Sequence, residues 1–163
     1  METILDEKDK KILQTIDTKA RLSIANISRK TGIQRDSVLY RINKMKKSGV
    51  IRFFSTTLSP EKMGYPISSF VNFELYNLTK QEEKKFIAFL KGHPYVVYVA
   101  KTTGRWDTTT QIVAKNLKQF DSVISEIRMK FPRIIKDYNT ASIIKEIKYD
   151  NMVDLIWGFL EEQ

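Results

Sequence analysis

The chain has 163 residues, of which 42% are hydrophobic and 29% charged, a balance typical of one or two small folded domains and unlike that of a disordered chain. It has no cysteine and one histidine, which excludes disulfides, thiolate catalysis and the common zinc sites. Its first residues lack the apolar core of a signal peptide, and no segment approaches the roughly 18 apolar residues of a membrane span. We therefore expect a cytoplasmic protein with no membrane segment and no bound metal or cofactor.

The excess of positive charge is concentrated in the first third of the chain. Lys and Arg number 28 against 19 Asp and Glu, a formal net charge of +9. Residues 1–60 hold 13 basic and 6 acidic side chains, a net of +7, whereas residues 61–163 hold 15 and 13, a net of +2. A Lys-rich composition spread evenly along the chain would not give this asymmetry. The first third is therefore the predicted binder of a polyanion.

The first 57 residues have the periodicity of three helices. Asp6 and Asp9 suit the start of a first helix, in which Ile12, Leu13, Ile16 and Ala20 recur at helical spacing. Ser23 can cap a second helix, and Gly32 suits the left-handed turn before a third helix. The apolar stripe of this third helix, which spans about 34–48, is predicted to comprise Val38, Leu39, Ile42 and Met45. The β-branched and aromatic residues of 50–58 then predict an extended strand. This order predicts a helix-turn-helix domain of the winged-helix type.

The opposite face of the third helix is cationic, with five basic residues and one acidic residue between 34 and 47. A solvated face usually mixes the two signs, because oppositely charged pairs four residues apart stabilise a helix. A helix with one apolar and one cationic face instead fits the major groove of DNA, where Arg can bond guanine and hydroxyl groups can reach phosphates. The predicted contacts with double-stranded DNA are Arg35, Ser37, Tyr40, Arg41 and Lys44, with Arg29, Lys30, Lys46 and Lys47 on phosphates.

A linker separates this domain from a second pattern. Residues 58–66 contain two prolines and a glycine, which is turn chemistry. Strands and helices then alternate as β-α-β-β-α-β, the order of a ferredoxin-like domain with two helices on one face of an antiparallel sheet. The predicted fold class is α+β, divided into a helix-turn-helix domain at 1–57, a linker at 58–66, a ferredoxin-like domain at 67–150 and a C-terminal helix at 151–163.

One face of the predicted sheet has no helix to cover it. We place Phe70 and several Val, Ile and Thr side chains on this open face. A partly apolar open face is a self-association surface, so the pattern predicts at least a homodimer. A dimer would also pair two recognition helices about one DNA turn apart.

A turn between two strands of the second domain groups Arg105, Trp106 and Asp107 beside Gly104. These side chains could grip a zwitterion such as an amino acid, or Asp107 could pair with Arg105 while Trp106 anchors an interface; the residues favour neither interpretation. His93 precedes a proline at a helix end and is interpreted as a turn residue. The sequence has no phosphate-binding glycine loop, nucleophile elbow or catalytic cluster, so we do not predict an enzyme.

From about Leu5 to Lys148 the chain resembles the Lrp/AsnC family of prokaryotic transcription regulators. The resemblance lies in LDEKDKKILQ at the start, VLYRINKMKKSGVI along the third helix, LSPEKMGYP in the linker and TGRWD at the turn. Arg41 stands where the family expects an arginine. Gln34 stands where the family usually has the serine that opens the recognition helix.

The resemblance implies dimers that assemble into tetramers or octamers, with an amino acid bound near the TGRWD turn. The effector-binding residues carried over from the family are Gly104, Arg105, Trp106, Asp107, Thr140 and Ser142. We therefore predict a sequence-specific DNA-binding transcription regulator. The alternative is an amino-acid sensor that regulates a protein partner through its C-terminal domain.

Overall fold

The computed structural model describes residues 5–17, 19–149, 152 and 155–157. The chain divides into two compact units, Met1–Thr57 with Ile147–Gln163, and Leu58–Glu146. In chain order the elements are α1 (Glu7–Asp17), α2 (Ile24–Thr31), α3 (Arg35–Lys47), a 3-10 turn (Glu61–Met63), β1 (Ile67–Leu75), α4 (Lys80–Gly92), β2 (Val96–Lys101), β3 (Thr108–Ala114), α5 (Leu117–Lys130) and β4 (Ile135–Ser142).

The first unit is a helix-turn-helix built around one apolar core. The Ser23 hydroxyl accepts a hydrogen bond from the Asn26 N–H at 3.2 Å and so begins α2. Gly32 ends α2 with φ of 72°, a conformation that favours a residue without a Cβ atom, and α3 follows within three residues. Gln34 makes no side-chain hydrogen bond to the start of α3. The buried core comprises Ile12, Ile16, Ile27, Ile33, Val38, Ile42, Met45 and Ile51.

Two predictions for this unit are wrong. Leu39, predicted in the apolar stripe of α3, is 48% exposed. Val38, Ile42 and Met45 already fill the 3.6-residue period, and the residue after Val38 points about 100° away from them. Residues 50–58 form no strand, because a strand needs a neighbour for its backbone N–H and C=O groups and no described segment pairs with this one.

The second unit has the predicted β-α-β-β-α-β order. Its four strands form an antiparallel sheet in the order β2-β3-β1-β4. Thr79 and Glu82 form a reciprocal capping box at the start of α4, and Asn116 caps α5. The core between sheet and helices comprises Val71, Phe73, Phe86, Leu90, Ile112, Val123, Ile124 and Ile127.

The open face of the sheet carries both apolar and polar side chains. Phe70 lies on it, 38% exposed, between Gln111 of β3 and Ala141 of β4. The Asn72 amide donates to Asn139 at 2.8 Å and accepts from the Thr109 hydroxyl at 2.7 Å. The strand register turns Thr110 and Ile112 of β3 toward the helices and leaves Val113 on the open face.

The C-terminal part of the chain departs from the regular pattern. The last strand, β4, ends at Ser142, eight residues before the predicted end of the ferredoxin-like domain at residue 150. Of the predicted helix 151–163, residues 155–157 form a turn, Met152 is described without regular structure, and the others lie outside the described residues. The Trp157 indole N–H donates to the Gln14 side chain at 3.3 Å, within the first unit. No helix in the described residues is long and apolar enough to cross a membrane.

Candidate nucleic-acid interface and ligand turn

The surface of α3 carries most of the residues predicted to contact DNA. Tyr40 is 68% exposed, Ser37 is half-buried, and the side chains of four basic residues are exposed. These basic residues are Arg35, Lys44, Lys46 and Lys47. Within the described part of the chain none of the four forms an ion pair, so their charge is available to a polyanion. Arg29 and Lys30, in the last turn of α2, are also exposed.

Arg41 has a different environment from the other basic residues of α3. Its Nη1 atom lies 2.6 Å from Oδ2 of Asp6 and 2.7 Å from Oδ1 of Asp9, and its side chain is 18% exposed. Asp9 is buried, and Asp6 lies just before the first residue of α1. Arg41 is therefore held inside the unit, as the cation of a three-membered cluster that ties α3 to the start of α1.

The two aspartates of this cluster also cap α1. Oδ1 of Asp6 accepts from the Asp9 N–H at 2.9 Å, which satisfies one of the unpaired donors at the helix start. The hydrogen bond from Arg41, and then that from the Asp9 N–H, lowers the pKa of Asp6 below its ordinary value. The hydrogen bond to Asp6 in turn raises the pKa of Arg41. The spacing of Asp6 and Asp9 marks a helix start in the sequence, but only the fold reveals their shared partner.

The turn between β2 and β3 is fixed to the end of β1 through Asp107. Gly104 has φ of 95°, which allows the tight reversal. The Asp107 carboxylate accepts from the Leu75 N–H at 2.7 Å, and its own N–H donates to the Phe73 carbonyl at 2.9 Å. The carboxylate of Asp107 therefore positions the turn, and Arg105 is not its partner.

Arg105 instead pairs with acidic residues of the neighbouring strands. Its Nη2 atom lies 3.0 Å from the Asp137 carboxylate, its Nε atom lies 3.7 Å from that of Glu74, and its guanidinium lies 4.5 Å from the centre of the Trp106 ring. Lys136 pairs with Glu74 as well, and this bond raises the pKa of Lys136. Sequence reasoning missed Glu74 and Asp137, because only the register of β1 against β4 brings them to the turn.

Thr140 and Ser142 do not join this cluster. They follow Asp137 by three and five residues along β4, so Thr140 lies about 10 Å farther along the strand. Thr140 pairs with Val71, and the Ser142 hydroxyl lies 3.1 Å from that of Ser69. The six predicted effector residues therefore form two groups. One group is the turn of Gly104, Arg105, Trp106 and Asp107, and the other is Thr140 and Ser142 on β4.

Two family models match the chain. A winged helix-turn-helix DNA-binding model matches residues 5–52, and the Lrp/AsnC ligand binding domain model matches residues 68–153. The HTH-type transcriptional regulator PH0140 of Pyrococcus horikoshii is 31% identical, with 95% of this chain and 90% of that protein covered. The HTH-type transcriptional regulator FL11 of the same organism is 30% identical, with 78% and 82% covered.

Solved structures have the same fold. An AsnC family transcriptional regulator from Agrobacterium tumefaciens superposes with a TM-score of 0.79 and 26% identity, over 89% of this chain and 94% of that one. The transcriptional regulator NMB0573 from Neisseria meningitidis, solved as a complex with L-Met, also has a TM-score of 0.79, with 23% identity over 90% and 94% of the two chains. The α+β architecture inferred from the sequence is confirmed by these likenesses.

Proposed function

The chain belongs to the Lrp/AsnC family of DNA-binding transcription regulators, and we propose that α3 is the helix by which it reads specific sites on double-stranded DNA. The observation that supports this role is the exposed cationic surface of α3, whose Arg35, Lys44, Lys46 and Lys47 form no ion pair within the described residues. Cations on a helix that enters the major groove neutralise the flanking phosphates and release their counterions.

The residues divide into two roles. Arg35, Lys44, Lys46 and Lys47 of α3, with Arg29 and Lys30 of α2, supply the phosphate contacts that set affinity and orientation. Tyr40 and Ser37 lie where hydroxyl groups can reach phosphates or base edges. Arg41 keeps a place in the interface as a positioning residue, since its bonds to Asp6 and Asp9 hold α3 at a fixed angle for docking.

The working unit is a homodimer that associates further into a tetramer or octamer. Phe70 is an exposed aromatic residue on the open sheet face, beside the hydrogen-bonded side chains of Asn72, Asn139 and Thr109. The same face of a second copy would cover Phe70 and form hydrogen bonds with the remaining polar groups of this face. Such a two-fold contact is self-complementary. The pairing would give the dimer two recognition helices for a palindromic site.

An amino-acid effector fits the turn of Gly104, Arg105, Trp106 and Asp107. A relative of this fold binds L-Met, which motivates the ligand class. Arg105 is the side chain that can change partner, because it is 66% exposed and its ion pair with the exposed Asp137 is therefore weak. A bound carboxylate would compete with Asp137 for the guanidinium. Thr140 and Ser142 lie farther along β4 and are secondary candidates.

A regulator that binds the chromosome would work in the cytoplasm of a prokaryotic cell. The proposal assigns the protein no catalytic activity, because its family consists of transcription regulators. The alternative, an amino-acid sensor that regulates a protein partner, makes a different prediction for DNA binding. A sensor of that kind would bind duplex DNA without sequence preference, and competitor DNA would remove it at moderate salt.

Selection of duplexes from a random pool by the full-length protein, with and without a panel of amino acids, tests the function. We expect an enriched palindromic site, and titrations of that site by fluorescence anisotropy should give a dissociation constant far below that for a scrambled duplex. The double variant Arg35→Ala/Lys44→Ala should lose most binding. Its matched control, Lys84→Ala/Lys91→Ala on the exposed surface of α4, removes the same charge and should bind normally. A pool in which no sequence is enriched would contradict the proposal.

A further inference from the structure

The face of α3 that points away from the core is turned by one residue from the face predicted by sequence. Asp36, Tyr40, Asn43 and Lys47 stand at positions i, i+4, i+7 and i+11, which share one side of a helix, and all four are exposed. Leu39 lies beside Asn43 on this side and is 48% exposed. The outward residues therefore include three that the sequence pattern had not assigned to DNA: Asp36, Leu39 and Asn43.

We propose that Leu39 and Asn43 form a reading edge that selects A·T base pairs, an inference that rests on the proposed entry of α3 into the major groove. The carboxamide of Asn43 offers one donor and one acceptor, the pair that matches N7 and N6 of adenine. The side chain of Leu39 offers an apolar surface, which matches the 5-methyl group of thymine. The adenine edge and the thymine methyl group are both exposed in the major groove, and phosphates offer neither.

The spacing of the two residues fits a short run of base pairs. Leu39 and Asn43 are one helical turn apart, about 6 Å along the helix axis. Successive base pairs of DNA are separated by about 3.4 Å, so the two side chains reach base pairs that are neighbours or next neighbours. The target is therefore a step of two or three A·T pairs in each half-site.

Neither Leu39 nor Asn43 contributes to the packing or hydrogen bonding of the described residues in a way that would explain its position on α3. Leu39 is outside the core cluster, and the Asn43 side chain makes no hydrogen bond to any other described residue. Asparagine is a weaker helix former than alanine in mid-helix, so its presence there does not serve the helix itself. The exposed lysines 44, 46 and 47 on the same helix make an acidic ligand a better partner for this surface than an apolar protein.

Asp36 is a different case. It lies in the first turn of α3, where a carboxylate interacts favourably with the helix dipole. This position accounts for Asp36 without a base contact, so the reading edge is limited to Leu39 and Asn43.

Base analogues test the proposal on the site that the wild-type protein selects. Replacing the contacted adenine by 7-deazaadenine removes its N7 acceptor, and replacing thymine by uracil removes only the methyl group. We expect 7-deazaadenine to weaken wild-type binding by about tenfold or more, and Asn43→Ala to weaken it by about ten- to hundredfold with no further loss from the analogue. Uracil should weaken the wild type by a few-fold and leave Leu39→Ala unaffected.

Controls separate this proposal from the function on which it rests. Gln81→Ala deletes a carboxamide from the exposed surface of α4 and should leave the selected sequence and its affinity unchanged. Lys44→Ala should weaken binding to every duplex equally. If Asn43→Ala selects the same site with wild-type affinity, or keeps the full 7-deazaadenine effect, the proposal of a reading edge is wrong. The proposed function as a sequence-specific DNA-binding regulator would still stand. If the wild-type protein selects no sequence, both are overturned.

Discussion

The guanidinium of Arg41, in the middle of α3, lies 2.7 Å from the carboxylate of Asp9, one of the most buried polar groups of the first unit. A buried carboxylate is stable only while it is paired, and Arg41 is its one cationic partner among the described residues. The same guanidinium bonds Asp6, so one side chain of α3 satisfies two acids at the start of α1. This geometry makes Arg41 a link between two helices.

Removing Arg41 should therefore destabilise the first unit. We expect Arg41→Ala to lower the free energy of unfolding by about 2–4 kcal/mol, because Asp9 is left buried and unpaired. Urea unfolding followed by circular dichroism measures the loss. Lys44→Ala, which removes an exposed cation one turn away on the same helix, should change stability by less than about 0.5 kcal/mol. A similar, small effect for both variants would contradict the role of Arg41 as a link between α3 and α1.

The cluster should also make stability depend on pH. Because folding lowers the pKa of Asp6, through its bonds to Arg41 and to the Asp9 N–H, the ionised carboxylate favours the folded state. That contribution is complete above the ordinary pKa of 3.8 and is lost as the pH falls through the lower, folded-state pKa. The stability difference between wild type and Asp6→Asn should thus be constant from pH 5 to 7 and shrink toward pH 2. A difference that stays constant throughout would contradict this account.

The sequence was sufficient for features that depend on local spacing. The cap at Ser23, the turn at Gly32 and the β-α-β-β-α-β order of elements follow from side-chain chemistry and spacing within a few residues. It failed where a distant partner decides. The ion pairs of Arg41 could not be predicted, because Asp6 and Asp9 are more than 30 residues away in the sequence and only the fold brings α1 to this side chain.

The same limit explains the errors on the second unit. Arg105 was considered with its near neighbour Asp107, but the register of β1 and β4 gives it Glu74 and Asp137, 31 and 32 residues away. The sequence predicts a partly apolar open face with several Val, Ile and Thr side chains beside Phe70. The register decides which face each residue takes, and it buries Thr108 and Thr110 while Phe70 stays on the open face.

Phosphate contacts should appear as a salt dependence that is independent of sequence. Lys46 is exposed in the last turn of α3 and forms no ion pair among the described residues. Lys46→Ala should reduce the slope of log affinity against log salt concentration by about one unit, because one fewer counterion is released. Titrations at several salt concentrations measure the slope, and repeating the selection checks that the preferred site is unchanged. Lys84→Ala on α4 serves as the charge-matched control.

Association through the open sheet face can be tested at Phe70. A carboxylate placed there by Phe70→Asp would have to be buried without a partner in a face-to-face dimer, at a cost of several kcal/mol. We expect sedimentation velocity to show monomers for this variant at concentrations where the wild type is a dimer or larger, and DNA affinity to fall because the two half-sites are no longer bound together. Met129→Asp makes the same kind of change at an exposed apolar residue of α5, on the helix side of the sheet, and should leave the dimer intact. A Phe70→Asp protein that sediments like the wild type would place the subunit contact elsewhere.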